Sequence, residues 1–186
     1  MQTPANLRQE RINLLRRQED RKRKLPDFLN SLSAIAKRSI SESDVVSVEQ
    51  TDNIWADIRR NEKLQQANLS ISFSYRDKDK LTSIFEALRS YLSGQRHYFT
   101  TGKFQETCFL FIDTAFCLDY YEELIELDGD TFYIYDKDLT NGAWVDSNEE
   151  HWRDKEEYLW TYELRVRGLD WINAIYEAYK QIEKES

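Results

Sequence analysis

The stretch Thr131–Trp171 constrains the fold of this chain more than any other segment, because it combines strand patterns with a turn signal. It contains nine aromatic and ten acidic side chains. Large apolar residues alternate with other residues over Tyr158–Val166, which is the period of two typical of a strand. The pair Asn141-Gly142 is a strong hairpin signal. We therefore predict strands at residues 132–135, 143–146 and 158–166, with a charged excursion at residues 147–157.

The remainder of the chain shows weaker patterns of the same kinds. Leu69–Tyr75 alternates apolar residues with serine, which predicts a strand with one buried face. The apolar run Cys108–Ile112 is typical of a central strand buried on both faces. Asp113–Leu127 fits either a helix or a strand. Helical spacing predicts helices at residues 6–24, 28–38 after a break or kink at Pro26, 52–64, 77–92 and 171–183. Residues 39–50 are expected to form a connector, with room for a short strand at residues 45–48.

These elements predict an α+β fold, in which N-terminal helices are followed by a mostly antiparallel sheet and a closing C-terminal helix. The chain has only five glycines and two prolines, which disfavours a many-turned β-sandwich. Its 186 residues suit one domain of ordinary size. We expect residues 1–38 to form a basic helical arm and residues 39–186 to form a single acidic domain.

Charge is divided unevenly along the chain. Residues 1–40 carry ten basic and four acidic side chains, whereas residues 104–186 carry seven basic and 21 acidic ones. Residues 1–24 lack the apolar core of a signal peptide, and no apolar run is long enough for a membrane span. Cys108 and Cys117 lie in an apolar context, which indicates buried, reduced thiols. These features together predict a cytoplasmic protein.

Catalytic and metal-binding patterns are weak. The chain has two histidines, His97 and His151, and neither has a cysteine or histidine at zinc-ligand spacing. It contains no nucleophile elbow and no glycine-rich phosphate loop. The best carboxylate group comprises Asp128, Asp130, Asp136 and Asp138. An EF-hand pattern is absent there, so turn capping is the preferred interpretation. We expect no catalytic residue, no cofactor and no metal, and therefore a protein that is not an enzyme.

The leading hypothesis is a protein-binding module. Aromatic side chains beside carboxylates supply anchors and electrostatic steering for a basic partner. Its most concrete form is an inhibitor or immunity-type protein that neutralises a basic toxin, such as a nuclease. The expected contacts lie mainly in two loops, Asp136–Gly142 and Ser147–Glu157. The predicted partner-binding residues are Asp136, Asp138, Trp144, Asp146, Glu149, Glu150, Trp152 and Asp154.

Two other classes of function stay open. A nucleic-acid-associated or scaffolding protein would act through the basic N-terminal helix, and a homodimer is compatible with that reading. The residues that would contact phosphates are Arg16, Arg17, Arg21, Lys22, Arg23 and Lys24. Docking of this helix on the acidic part of the same chain is the simpler explanation of its charge. A carboxylate-dependent enzyme, using Asp128 and Asp130 to hold Mg²⁺ or Ca²⁺, is the third class.

Overall fold

The computed structural model describes residues 4–64, 67–74, 77–128, 130–152 and 157–185, with only the backbone given at residues 4, 5, 149–152, 157–160 and 185. The helices are α1 (Pro4–Ala36), α2 (Val48–Leu64), α3 (Lys78–Leu92), α4 (Ala115–Asp119), α5 (Tyr121–Asp128) and α6 (Leu169–Glu185). The strands are β1 (Asn68–Ser74), β2 (Arg96–Thr101), β3 (Leu110–Asp113), β4 (Thr131–Tyr135), β5 (Gly142–Trp152) and β6 (Glu157–Arg167). The predicted α+β class is confirmed.

All six strands form one antiparallel sheet in the order β1-β6-β5-β4-β2-β3. Alternate side chains of each strand point to opposite faces. The first face carries the main hydrophobic core, in which α1, α3, α4, α5 and α6 cover the sheet. Its central positions are fully buried, as at Phe99, Phe132 and Leu164. The helices are therefore concentrated on one side of the sheet.

The second face is covered over only part of its width. Helix α2 packs there through Ile54 and Ile58, which form a smaller core with Phe109, Tyr135 and Leu139. Trp55 extends this contact, because its ring lies 5.2 Å from that of Phe109. On this face, the residues that α2 contacts belong to β4, β2, the loop after β4, Phe109 just before β3 and Arg167 at the end of β6. Apart from Arg167, the β5, β6 and β1 end of this face is not covered by any described helix.

The first helix is continuous, so the predicted division into two helices at Pro26 is wrong. Helix α1 runs through Pro26, whose side chain is exposed. Its core-facing residues, Leu25, Phe28, Leu29 and Leu32, are buried at helical spacing. Burial of this apolar face outweighs the backbone hydrogen bond lost at proline. The C-terminal part of the predicted arm thus packs on the sheet, while the division into an arm and a domain stays a prediction.

The connector after α1 contains no extended strand. Residues 42–44 form one 3-10 turn, and Val45 makes a single bridge to Leu110. Helix α2 begins at Val48, earlier than predicted, because Ser47 and Gln50 cap it. The Ser47 Oγ accepts from the Gln50 backbone N–H at 3.1 Å, and Gln50 Oε1 accepts from the Ser47 N–H at 2.9 Å. This Ser-x-x-Gln capping box was a local signal that the sequence analysis missed.

Two strand predictions require correction. The run Cys108–Ile112 was expected at the centre of the sheet, but β3 is an edge strand. Its apolar side chains are buried between the helical layer and α2 rather than between two strands. The hairpin after β4 does not turn at Asn141-Gly142, since Gly142 already pairs with Tyr135. The loop comprises residues 136–141, and Leu139 takes the positive φ of 58°.

The predicted charged excursion at residues 147–157 is also wrong over most of its length. Strand β5 continues from Gly142 to Trp152 and pairs with β6 along all 11 residues. Residues 153–156 lie outside the described residues. A strand with polar side chains on an uncovered face keeps its backbone hydrogen bonds, so charge alone did not mark a loop. The open question about Asp113–Leu127 is resolved, because the segment forms α4 and α5.

Candidate interaction surface

The uncovered part of the second face forms a polar surface that we call the open sheet face. The pairing registers place its residues on neighbouring positions of three strands. Its members are Trp144, Asp146 and Asn148 of β5, Thr161, Glu163 and Arg165 of β6, and Ser70 and Ser72 of β1. Four of these are exposed and the others are half-buried. Tyr133 of β4 lies at its border, where its ring meets Trp55 of α2 edge-on at 5.9 Å.

A charged network occupies the middle of the open sheet face. Arg165 donates from Nε and Nη2 to the two oxygens of Glu163, each at 2.7 Å. The Ser70 hydroxyl on β1 donates to the same carboxylate at 2.7 Å. These hydrogen bonds lower the pKa of Glu163, and the bond from Arg165 has the larger effect. The same bond raises the pKa of Arg165. The pair therefore stays ionised and oriented on the surface.

Asp146 differs from Glu163 in having no such partner. Its carboxylate accepts no hydrogen bond from any described residue. Burial raises its pKa, the neighbouring Glu163 and Asp130 add to that effect, and Arg165 opposes it. Asp146 lies directly across from Glu163 in the β5–β6 register. A half-buried carboxylate in this setting gains from any cation that approaches it.

Two aromatic side chains adjoin this carboxylate. Trp144 precedes Asp146 by two positions, so the two share a face of β5. Trp144 pairs with Tyr133 on one side and Arg165 on the other. Trp144 is half-buried, and burial raises the pKa of Tyr133. Together they form an aromatic and acidic surface patch on one rigid sheet.

The β5–β6 hairpin extends beyond the rest of the sheet. The β1–β6 register ends at Ser74 opposite Thr161, and the β4–β5 register ends at Thr131 opposite Asp146. Pairing of β5 with β6 continues to Trp152. The backbones of three predicted partner-binding residues belong to this extension, namely Glu149, Glu150 and Trp152. A fourth, Asp154, lies outside the described residues.

The loop after β4 lies at the opposite end of β5. Asp136 accepts hydrogen bonds there from the Thr140 N–H at 2.7 Å, the Thr140 hydroxyl at 2.9 Å and Asn141 Nδ2 at 2.8 Å. This carboxylate builds the turn, while Asp138 is exposed. The ten positions from Gly142 to Trp152 span about 33 Å. The structure therefore unites Trp144 and Asp146 but separates the two predicted loops.

The other half of this surface was not predicted from sequence patterns. Glu163, Arg165 and Ser70 were not among the predicted binding residues. A signal was present, because Glu163 and Arg165 occupy alternate positions on the polar side of a predicted strand. Their meeting with Ser70 depends on β1 pairing with β6, which joins residues 93 positions apart.

The basic residues of α1 divide into two groups. Arg17 makes a two-pronged contact with Asp52 of α2, both distances being 2.6 Å, and Arg21 donates to the Val46 carbonyl at 2.6 Å. Hydrogen bonding to Asp52 raises the pKa of Arg17. Arg23 pairs with Asp20 at 2.8 Å. Of the residues predicted to contact phosphates, Arg16, Lys22 and Lys24 are exposed and form no ion pair with a described residue.

The two cysteines, His97 and Asp128 are buried in the interior of the protein. Burial raises the pKa of the Cys108 thiol to about 12 and that of Cys117 well above its ordinary value. His97 is buried, and its Nδ1 lies 3.0 Å from the Thr114 hydroxyl. Asp128 is buried and accepts from the Thr101 hydroxyl at 2.8 Å and the Lys103 N–H at 3.0 Å. Among the described residues, no three His, Cys, Asp or Glu side chains are grouped as metal ligands would be.

The comparisons with known proteins add no relative. No family model matches the chain, and searches among curated proteins and solved structures found no similar one. Of the described helices, none combines the length and the apolar character needed to cross a membrane.

Proposed function

We propose that the protein is a non-catalytic binding protein that recognises a basic protein partner through the open sheet face. The proposal rests mainly on Asp146, which is a half-buried carboxylate beside Trp144 and has no hydrogen-bond donor among the described residues. A lysine or arginine of a partner would supply the missing donor, and the indole ring would pack against its aliphatic or guanidinium part. The net charge of −8 favours encounter with a basic surface.

The most concrete form of the proposal is an inhibitor or immunity-type protein that neutralises a basic toxin, with a nuclease as the expected class. Such toxins present a cationic cleft for nucleic acid, which an acidic and aromatic surface can occupy. The projecting β5–β6 hairpin supports this form, because residues 147–160 carry five acidic and two basic side chains. The proposed site of action is the cytoplasm, where Cys108 and Cys117 stay reduced.

The test compares matched variants as immobilised baits in native lysate. Asp146→Lys and Trp144→Ala alter the open sheet face, whereas Glu86→Lys makes the same charge change on an exposed position of α3. The wild type and Glu86→Lys should retain a basic protein that Asp146→Lys loses. Purified partner should then bind Trp144→Ala about thirtyfold more weakly, as expected for a buried aromatic anchor worth about 2 kcal/mol.

The identity of the captured protein tests whether the protein is an inhibitor of a basic toxin. A basic nuclease whose activity is blocked by the wild type but not by Asp146→Lys supports the inhibitor form. Recovery of the same proteins by the wild type and by Asp146→Lys contradicts binding at this surface. Recovery of acidic proteins alone contradicts the electrostatic argument.

A second proposal is polyanion binding by α1. It is favoured by Arg16, Lys22 and Lys24, which are exposed and form no ion pair with any described residue. Changing these three residues to glutamine leaves the contacts of Arg17 and Arg21 with the α2 region intact. Affinity for single-stranded DNA should fall, and the dependence of affinity on salt should become shallower. Equal affinity of the wild type and the triple variant would exclude this second function.

A further inference from the structure

The two edge strands of the sheet differ in whether their outward backbone groups are hydrogen-bonded to the rest of the chain. Strand β3 forms one edge, and its outward carbonyl groups are occupied. The Phe109 carbonyl accepts from the Val46 N–H at 2.9 Å. The carbonyls of Phe111 and Asp113 accept from the side chains of Arg96 and Arg38 respectively. This edge is therefore closed to a further strand.

Strand β1 forms the other edge and is open. It pairs with β6 over all seven residues, so alternate backbone groups point away from the sheet. None of the outward groups of Asn68–Ser74 is bonded to a described residue. The strand lacks the usual protective features, because its sequence NLSISFS contains no charge, no proline and no glycine.

The side chains of β1 are complementary to a second copy of the same strand. In an antiparallel pair centred on Ile71, Leu69 lies opposite Phe73 and Ser70 lies opposite Ser72. Apolar residues then meet apolar residues on the core side, and serines meet serines on the open sheet face. Leu69 and Ile71 are only half-buried in one copy, so pairing would remove more of their surface from water.

Charge near this edge does not oppose self-association. The charged residues next to β1 on the open sheet face are Glu163 and Arg165, which neutralise each other. Two exposed apolar side chains lie near the start of the strand, Leu64 at 74% and Leu169 at 65% exposure. The Gly168 N–H donates to the Ala67 carbonyl, which holds Leu169 beside the start of β1.

We infer that β1 is a homodimer interface, through which two copies join their sheets into one antiparallel sheet of twelve strands about a two-fold axis. The strand is about 23 Å long, so the shared area is at the low end for a specific interface. The dimer should therefore dissociate on dilution. The open sheet faces of the two copies would form one continuous surface.

The test uses charges placed on opposing positions of the paired strands. Ser72→Lys and Ser70→Glu each introduce a charge next to the symmetry axis. Within one chain, Ser72→Lys lies opposite Glu163 and Ser70→Glu lies opposite Arg165, although Ser70→Glu also removes the hydrogen bond from Ser70 to Glu163. In the dimer, position 72 of one copy lies opposite position 70 of the other. Each variant alone should dimerise more weakly than the wild type, because its two like charges lie diagonally across the symmetry axis. An equal mixture should restore the dimer, because the two introduced charges are then opposite in sign and directly face each other.

Light scattering and sedimentation equilibrium over a wide concentration range give the readout. The wild type and the uncharged control Ser72→Thr should both change from monomer to dimer as concentration rises. Circular dichroism and thermal unfolding verify that the charged variants are folded. A wild type that stays monomeric, or a dimer unaffected by either charge, overturns the interface. A mixture that stays monomeric overturns the register.

Discussion

Arg165 and Glu163 lie two positions apart on the same face of β6, and both oxygens of the carboxylate accept a hydrogen bond from the guanidinium group at 2.7 Å. Neighbours at this spacing project side by side from a strand. The pair therefore keeps a fixed orientation on a surface that no described helix covers. Asp146, opposite Glu163 on the neighbouring strand β5, accepts no hydrogen bond from a described residue.

The Arg165–Glu163 pair is expected to matter more for binding than for stability. The Arg165 side chain is 45% exposed, and exposed ion pairs contribute about 0–1 kcal/mol. Arg165→Met should change the free energy of unfolding by less than about 1 kcal/mol in urea titrations. It should alter the rate of partner association and the dependence of that rate on salt. A larger loss of stability would assign the pair a structural role.

Unlike the exposed Arg165, Arg167 is buried, with 1% of its surface exposed, and not all of its N–H groups are hydrogen-bonded. Its Nη1 lies 3.0 Å from Glu62 Oε1 without hydrogen-bond geometry, and its Nε has no partner among the described residues. Arg167→Met should leave stability unchanged or raise it, since it removes a buried charge and leaves Glu62, whose side chain is 46% exposed, in contact with water. Arg167→Ala should lose about 2–5 kcal/mol through the cavity it leaves. Denaturant unfolding of both variants measures the difference.

Gly168 and Gly94 both have positive φ values, 92° and 77°, but different surroundings. A Cβ added at Gly168 would lie 2.1 Å from Asn141 Oδ1 and 2.8 Å from the Thr140 carbonyl oxygen. A Cβ at Gly94 would meet nothing within 4 Å. Gly94→Ala should cost about 1–2 kcal/mol from backbone strain, and Gly168→Ala should cost about 1–3 kcal/mol more from the clash. Equal losses in thermal unfolding would contradict the packing at Gly168.

Burial lowers the pKa of His97 from its ordinary value of 6.5, although Asp136 and Asp113 partly oppose the shift. The unfolded chain therefore binds a proton at a higher pH than the folded one. The stabilising effect of neutral His97 is fully present above about pH 6.5 and is lost as pH falls toward the folded pKa, by up to about 1.4 kcal/mol per pH unit. His97→Gln should flatten this dependence in unfolding measurements.

Local patterns were sufficient for much of the secondary structure. The alternation over Leu69–Tyr75 predicted β1, and the spacing of apolar residues predicted α3 with Gly94 just after its end. They failed where tertiary contacts outweighed local preference. Burial of Phe28 and Leu32 keeps α1 helical through Pro26, and the β5–β6 ladder keeps a charged segment extended. Neither effect is encoded within a few residues.

The candidate surface was predictable only in part. Trp144 and Asp146 were identified from composition, and the structure places them on one face of β5. Glu163 and Ser70 were not identified, because their contact joins strands distant in the chain. Asp136 was identified as a binding residue, yet its three hydrogen bonds assign it to the turn. The function of each residue in that prediction awaits the binding experiments.

By itself, the sequence determined the α+β class, the polarity of charge along the chain and most strand and helix positions, because side-chain periodicity and capping act over short distances. Only the tertiary structure decided which strands neighbour each other and where α2 lies. Those two facts determine which half of the second face is uncovered and which edge is open. Strand order and helix docking depend on the burial of the whole chain, so no single segment specifies them.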